Sequence, residues 1–268
     1  GPVEFLERLG LWSELAGHAA PLAVRSFIEP TNRLFRAPDV AFHASEIGLS
    51  AFGYNIANSA LGSALRKRAR ATGKVSFIES TVVSAQFSAV GATVTLADGL
   101  HLQGGLAIAA DGRDSPMRTL AGIGARESRY PQTAIALNFA HTLPHHDTCH
   151  EFHTTEGPFT IVPLGAGLSG LVWVQSPEHA ADRMNWRKDA LEREIERQMH
   201  SILGKVEIVS DMQTYPLAGM IAHSFGRDGL VLVGEAAHAF PPIAAQGFNL
   251  GLRDVEVLHG MLPGKPVD

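Results

Sequence analysis

Two stretches of this chain share one construction. A short apolar run closes on a glycine beside a carboxylate, and a helix start follows. In the first, Leu106-Ala107-Ile108-Ala109-Ala110 ends in Asp111-Gly112, and Ser115 and Pro116 then supply an N-cap and a first helical residue. In the second, Leu230-Val231-Leu232-Val233-Gly234 meets Glu235, and the chain continues through Pro242 to Gln246-Gly247-Phe248-Asn249. Apolar runs of this length between turns read as strands buried on both faces of an α/β sheet. Ligands of open α/β sheets bind at the carboxyl ends of the strands. The pattern therefore predicts that both strands lie in one sheet with Asp111 and Glu235 near the same end. A carboxylate there can accept from sugar-like hydroxyls, glycines allow a flat ring to approach the backbone, and exposed helix-start amides attract negative charge. Ordinary strand-to-helix capping explains the first segment alone almost as well. The second is too long and too regular in its spacing for that.

The remaining pattern divides the chain. A helix is predicted from Val3 to Leu9 with Gly10 as its stop, another over Ile56–Ala71 with Gly73 beyond it, and a last one from Gly247 or Phe248 to about Met261. A short helix should follow Ser115 as far as Ala121. Strands are expected at Val75–Glu79, Val82–Phe87 and Ala92–Leu96, while Thr31–Ile47 gives no clear pattern. Between about 130 and 220 the strands follow one another: Thr133–Ala140, Glu151–Thr155, Phe159–Leu164, Gly170–Gln175 and Val206–Met212, with one amphipathic helix over Trp186–Leu203. Successive strands without crossover helices imply a mostly antiparallel sheet. The expected organisation is an α/β protein: a Rossmann-like cofactor domain in two parts, 1–129 and 226–268, with an inserted antiparallel sheet domain over 130–225.

Composition excludes several classes. A net charge of −5 with no long basic block argues against a nucleic-acid partner. The one cysteine, Cys149, forbids an internal disulfide and fits a reducing compartment. No apolar run reaches bilayer-spanning length, and the opening Gly-Pro-Val-Glu-Phe has no signal-like pattern, so a cytoplasmic protein is the default expectation.

Two apparent motifs carry little weight. Gly165-Ala166-Gly167-Leu168-Ser169-Gly170 has the spacing of a dinucleotide fingerprint, but the strand-like Leu171-Val172-Trp173-Val174 follows where a helix is required, so a hairpin turn is expected. The histidines around His145, His146, His150 and His153 lack a second cluster at ligand-like spacing, and a solvated loop is expected in place of a metal site.

Together the two carboxylate segments resemble the group A flavoprotein monooxygenases, the family of para-hydroxybenzoate hydroxylase. Asp111, Gly112, Ser115 and Arg118 match its D-G-x-x-S-x-x-R motif. Gly234, Ala236, Ala237 and His238, then Pro242, Gln246, Gly247, Asn249, Gly251 and Asp254, match its G-D-A-A-H motif and flavin loop. The wording from Pro242 to Asp254, and the opening Phe-Leu-Glu-Arg-Leu-Gly-Leu-Trp, resemble the ubiquinone-biosynthesis hydroxylases in particular. Glu235 stands where the family usually has Asp, Ala245 where a glycine is usual in the flavin loop, and Ser59 where relatives often carry arginine. The family's N-terminal strand–G-x-G-x-x-G–helix and its C-terminal helices have no counterpart in this sequence, so the chain is expected to be part of a longer enzyme and to hold the cofactor poorly by itself.

The resemblance implies FAD as cofactor, NAD(P)H as reductant and molecular oxygen as co-substrate. It implies that Asp111, Gly112 and Arg118 contact the cofactor, as do Gly234, Glu235 and Pro242, and Gln246, Gly247, Phe248 and Asn249. No protein nucleophile or metal is required, and no catalytic residue is assigned. The implied substrate is an aromatic compound, a polyprenylated phenol in ubiquinone biosynthesis, with peripheral contact to the inner membrane or to a biosynthetic complex. A hydroxylase of a small soluble aromatic compound, and a non-catalytic flavin-domain piece acting as an assembly or lipid-binding partner, are the alternatives. A dry, bulky channel favours the first; a colourless full-length protein favours the last.

Overall fold

The computed structural model describes residues 1–29, 38–242 and 245–262. Packing divides the chain into two units, residues 3–75 with 131–216, and residues 76–130 with 217–268.

The first unit is built on an antiparallel sheet. Residues 131–141 of the long strand Ala125–His141 pair with Leu168–Gln175, which pairs with Pro158–Gly165, which pairs with Thr148–His153. Val24–Ile28 then adds in parallel to Thr148–His153, and Val40–His43 closes the row. This is why the first 75 residues group with the sheet and not, as the expected bounds had it, with the carboxylate segments. Val40–His43 also supplies a strand where the sequence pattern was unclear; the rest of that stretch, up to residue 37, lies outside the described residues. Alternate residues of four strands, among them Phe139, Phe152, Phe159, Ile161 and Trp173, meet Ile195, Met199 and Leu203 in one core. Phe159 meets Trp173 edge-on at 5.2 Å between ring centres.

Two helices stand in this part of the chain: Pro177–Met184, which the sequence pattern did not announce, and Lys188–Gln198, which falls within the range expected over Trp186–Leu203. Ser176 starts the first by accepting the His179 amide, with Pro177 at the first position. The second stops early because His200 and Ser201 adopt left-handed backbone, φ 51° and 53°, and the Ser201 amide turns back to the Glu196 carbonyl. The helices Pro2–Arg8 and Asn58–Ala71 bury Leu6, Leu61 and Ala64, as their spacing predicts, together with Leu11 and Leu15 of the short helix Trp12–Leu15 and its N-cap.

The second unit holds an antiparallel meander, Val82–Ser88, Gly91–Leu96 and His101–Gly104. Beside it stands a small sheet in which Ala107–Ala109 runs parallel to Leu230–Leu232, with Gly226–Arg227 on the outer edge. Gly229 enters this sheet at φ 72°, and a Cβ there would lie 2.3 Å from the Gly91 carbonyl oxygen, so nothing larger fits. Expected burial on both faces of the first strand is corrected: Ala109 is buried, but Ile108 is 51% exposed. Only one face of this strand is covered, by Met117, Ala222, Leu232 and their neighbours. Val75–Glu79 forms no strand; no described strand pairs with it, and Val75, Phe77 and Ile78 are exposed.

The Gly165–Gly170 fingerprint mimic is a hairpin, with Gly167 at φ 66° between two paired strands. Val206–Ile208 is shorter than expected, and a ten-residue strand, Gln213–Ala222, follows it unannounced.

Candidate cofactor site

The site lies in the second unit, where the parallel pair ends. The register sets Leu232 opposite Ala109, and the Val233 amide extends the ladder to the Ala109 carbonyl at 3.0 Å. Both chains therefore leave the sheet at the same end, and Asp111 and Glu235 emerge together there, as expected. Both side chains are exposed.

The first segment turns at once into a helix. Gly112 takes φ 87°, a conformation that suits glycine. Asp111 Oδ2 accepts the Met117 amide at 3.0 Å, and buried Ser115 accepts the Arg118 amide at 2.9 Å. Two first-turn donors of the helix Pro116–Leu120 are thus satisfied, and Asp111 Oδ1 keeps its accepting capacity. Arg118 points the other way. Its guanidinium is buried and donates to the Ala236 carbonyl at 2.9 Å, tying the first segment to the second. Arg113 reaches the Ala218 carbonyl in the same manner, at 2.6 Å.

The second segment bends at Gly234, φ 58°, into one turn over Gly234–Ala236. His238 then pairs along the edge of the 213–222 strand, and Phe240 and Pro242 come to the surface. Residues 243 and 244 of the flavin loop lie outside the described residues. Ala245 has φ 51° and ψ 38°, so the position where relatives carry glycine does require a left-handed backbone. The helix Gln246–Met261 follows with no side chain capping its N-terminus. Gln246, Gly247 and Phe248 of its first turn are exposed, and a Cβ on Gly247 would meet no atom within 4 Å. Asn249 folds back to the Ala245 carbonyl at 3.3 Å.

Sequence reasoning left one feature out of the site. Asp254, in the third turn of this helix, accepts the Gly234 amide at 2.8 Å and hydrogen-bonds His238 Nε2 at 2.7 Å, both through Oδ2. The motif match contained Gly234, His238 and Asp254, yet only the fold shows that the three meet. Gly251, one turn earlier, faces the same turn: a Cβ there would lie 3.4 Å from Gly234 Cα.

The two exposed carboxylates can accept from hydroxyl donors, and a helix start such as that of Gln246–Met261 favours an acceptor carrying negative charge. A family model described as an FAD binding domain matches residues 1–262. The chain belongs to this family. Among members of known activity, it is 31% identical to a ubiquinone hydroxylase of Rhodospirillum rubrum, over 97% of the chain and 62% of that protein. It is also 31% identical to the 3-demethoxyubiquinol 3-hydroxylase of Escherichia coli, over 97% of the chain and 66% of that protein. This FAD-binding chain thus spans less than two thirds of the length of those relatives. Its fold is that of the crystal structure of Pseudomonas aeruginosa PqsL in complex with 2-aminobenzoylacetate, with a TM-score of 0.78 at 19% identity, covering 96% of the chain and 72% of that structure.

The first unit carries a second surface of interest. On the sheet face opposite its helix-covered core, Ala136, Thr160, Val162 and Val172 lie half-buried in adjoining strands. Toward the outer strands this face becomes aromatic, with Phe27 and Phe42 6.0 Å apart, beside an Arg25–Glu151 ion pair.

Among the described residues no group of histidines, cysteines and carboxylates has the arrangement of a metal site. His141, His145 and His150 serve the sheet instead. His141 bonds the Leu143 carbonyl and Ser169 Oγ, and His145 bonds the Gly165 carbonyl. Burial, helped by His145, pushes His150 from the usual 6.5 down to about 4.

Proposed function

We propose that the protein carrying this chain is an FAD-dependent, NAD(P)H-driven hydroxylase that inserts oxygen into the ring of a polyprenylated phenol in ubiquinone biosynthesis. The observation that supports the reading is the emergence of Asp111 and Glu235 at one end of the parallel pair, with Asp254 tying Gly234 to the helix that starts at Gln246. This donor and acceptor set fits a polyhydroxylated chain joined to a flat ring bearing carbonyl groups, which is the composition of FAD.

In this reading Asp111 and Glu235 accept hydroxyls of the ribose and ribityl portions. The one methylene that Glu235 adds over aspartate is absorbed by its exposed position. Gly112, Gly234 and Gly247 let the backbone approach, with Pro242 and Asn249 bordering the loop. The amides of Gln246, Gly247 and Phe248 face the pyrimidine edge of the ring, where preorganised donors stabilise charge as it develops. Arg118 acts from behind, holding the two segments in register. Bound FAD, once reduced by NAD(P)H, supplies the oxygen activation. The chain's task is to orient the aromatic substrate and keep water out.

The choice of a prenylated substrate rests on the two relatives at 31% identity, whose names specify ubiquinone and demethoxyubiquinol hydroxylation. Such a substrate resides in lipid, so contact with the inner membrane would be at its surface; no described helix is long and apolar enough to cross it.

The test is purification of the whole protein, its flavin spectrum, and NAD(P)H oxidation with a prenylated phenol against 4-hydroxybenzoate as the small soluble comparator. The expected result is a yellow protein and a product heavier by one oxygen from the prenylated phenol. Turnover of 4-hydroxybenzoate alone would reassign the substrate class, and a colourless protein would overturn the cofactor reading.

A further inference from the structure

We infer that His238 and Asp254 form a positioning pair that sets the spacing between the carboxylate turn and the amides at the start of the Gln246–Met261 helix. The inference rests on the reading of this surface as an FAD site, and extends it to two further side chains.

The geometry is that of a clasp. Asp254 Oδ2 receives two donors, the Gly234 amide at 2.8 Å and His238 Nε2 at 2.7 Å. Gly234 begins the turn that presents Glu235; Asp254 belongs to the helix whose first turn presents Gln246, Gly247 and Phe248. Gly251 lies against Gly234 in the same contact, so the helix can neither slide nor rise without breaking one of these bonds. His238 is fixed in turn: it is 7% exposed, lies in the edge pairing with Ile221, and stands between the Phe225 and Phe240 rings at 5.6 Å and 5.4 Å. Its Nδ1 is buried with no partner among the described residues. That arrangement places a hydrogen on Nε2, because a hydrogen on Nδ1 would be a buried donor without an acceptor. The hydrogen atom therefore lies on the Asp254 side, and the carboxylate is held from two directions. Of the charged groups here, Asp254 alone bonds the ring, and Glu235 points to solvent.

A pair of this kind acts on function through distance. Helix-start amides stabilise negative charge only when they lie within hydrogen-bond reach of it, so a shift of the helix is felt more by a reduced, anionic ring than by an oxidised, neutral one. A pair serving only stability would weaken both states of the cofactor alike.

Three variants of the whole protein separate these cases: Asp254→Asn, His238→Gln and His238→Leu. Amide hydrogen exchange reads the clasp without any cofactor, and dissociation constants for oxidised and for reduced FAD read its consequence. Asp254→Asn is expected to speed exchange at Gly234 and to weaken reduced FAD about tenfold more than oxidised FAD, the loss of one charge-assisted bond. His238→Gln, which retains an N–H donor toward Asp254, should stay within about threefold of the unchanged protein, while His238→Leu should follow Asp254→Asn. Nitrogen NMR should show His238 Nδ1 unprotonated. Unchanged Gly234 exchange in Asp254→Asn, or equal weakening of both FAD states, would overturn the inference. Accelerated exchange in a protein that binds no FAD in either state would leave the clasp standing and overturn the cofactor reading.

Discussion

Ala245 occupies a backbone conformation that costs a residue with a side chain about 1 kcal/mol, and the helix presenting the Gln246–Phe248 amides starts directly after it. Ala245→Gly should therefore stabilise the protein by up to roughly 0.5 kcal/mol in urea denaturation, once glycine's greater unfolded-state freedom is subtracted. No gain would mean that the strain is relieved elsewhere in the loop. Arg118 is a residue whose role the sequence suggested only in part. The motif match marks it as important, but its guanidinium goes to the Ala236 carbonyl, a partner 118 positions away that no local pattern reveals. Arg118→Ala should cost about 2–4 kcal/mol, combining a lost charge-assisted bond with an unfilled space. His150 gives a pH dependence with a definite sign. It is neutral in the fold down to about pH 4, whereas the unfolded chain protonates near 6.5. The unfolded state thus binds more protons between those values, and stability present above pH 6.5 falls as pH drops toward 4. Replacing it, as His150→Gln, should flatten that acid limb of a stability-against-pH curve; an unaltered limb would assign the slope to other groups.

At the scale of elements, legibility followed locality. Helix ends marked by Gly10, Gly73 and Ser115 stood where the capping chemistry put them, because a cap is decided within a few residues. The 213–222 strand was missed because Pro216 and Gly219 interrupt its pattern. The helix expected over 186–203 is there but ends at Gln198: its apolar spacing continues through Leu203, which is buried, while the backbone has already turned left-handed at His200. The paired carboxylate ends were legible, since each strand announces itself; the clasp joining them to the last helix was not. In that helix Gly247→Val is the informative change. A Cβ there meets no atom within 4 Å, so melting should shift by less than about 1 kcal/mol equivalent. FAD affinity and the ratio of hydroxylated product to NAD(P)H consumed should nevertheless both fall in the whole enzyme. Normal flavin content with full coupling would show that nothing approaches Gly247 from outside. In the other unit, Ile195→Ala opens the centre of the sheet–helix core and should cost about 2–5 kcal/mol.

At the scale of the molecule, the G-x-G-x-x-G spacing at residues 165–170 of this sequence belongs to a hairpin, and no helix start follows it to meet a pyrophosphate. The 268-residue chain alone should accordingly bind FAD at least about tenfold more weakly than the whole protein, measured by fluorescence quenching of the flavin. Equal affinity would place the whole phosphate-binding function within the second unit. The outward side of the strand Ala107–Ala109 has a further consequence, for the behaviour of the chain in a tube. Ile108 stands half in water, with Leu100, Val83 and Val90 also exposed in the same unit, so concentrated solutions of the chain should be colloidally unstable. Light scattering should climb with protein concentration and climb faster in sulfate, which strengthens apolar association. A single hydroxyl in place of a branched hydrocarbon, as Ile108→Thr, should lengthen the shelf life of a preparation without touching the chemistry it was made to study.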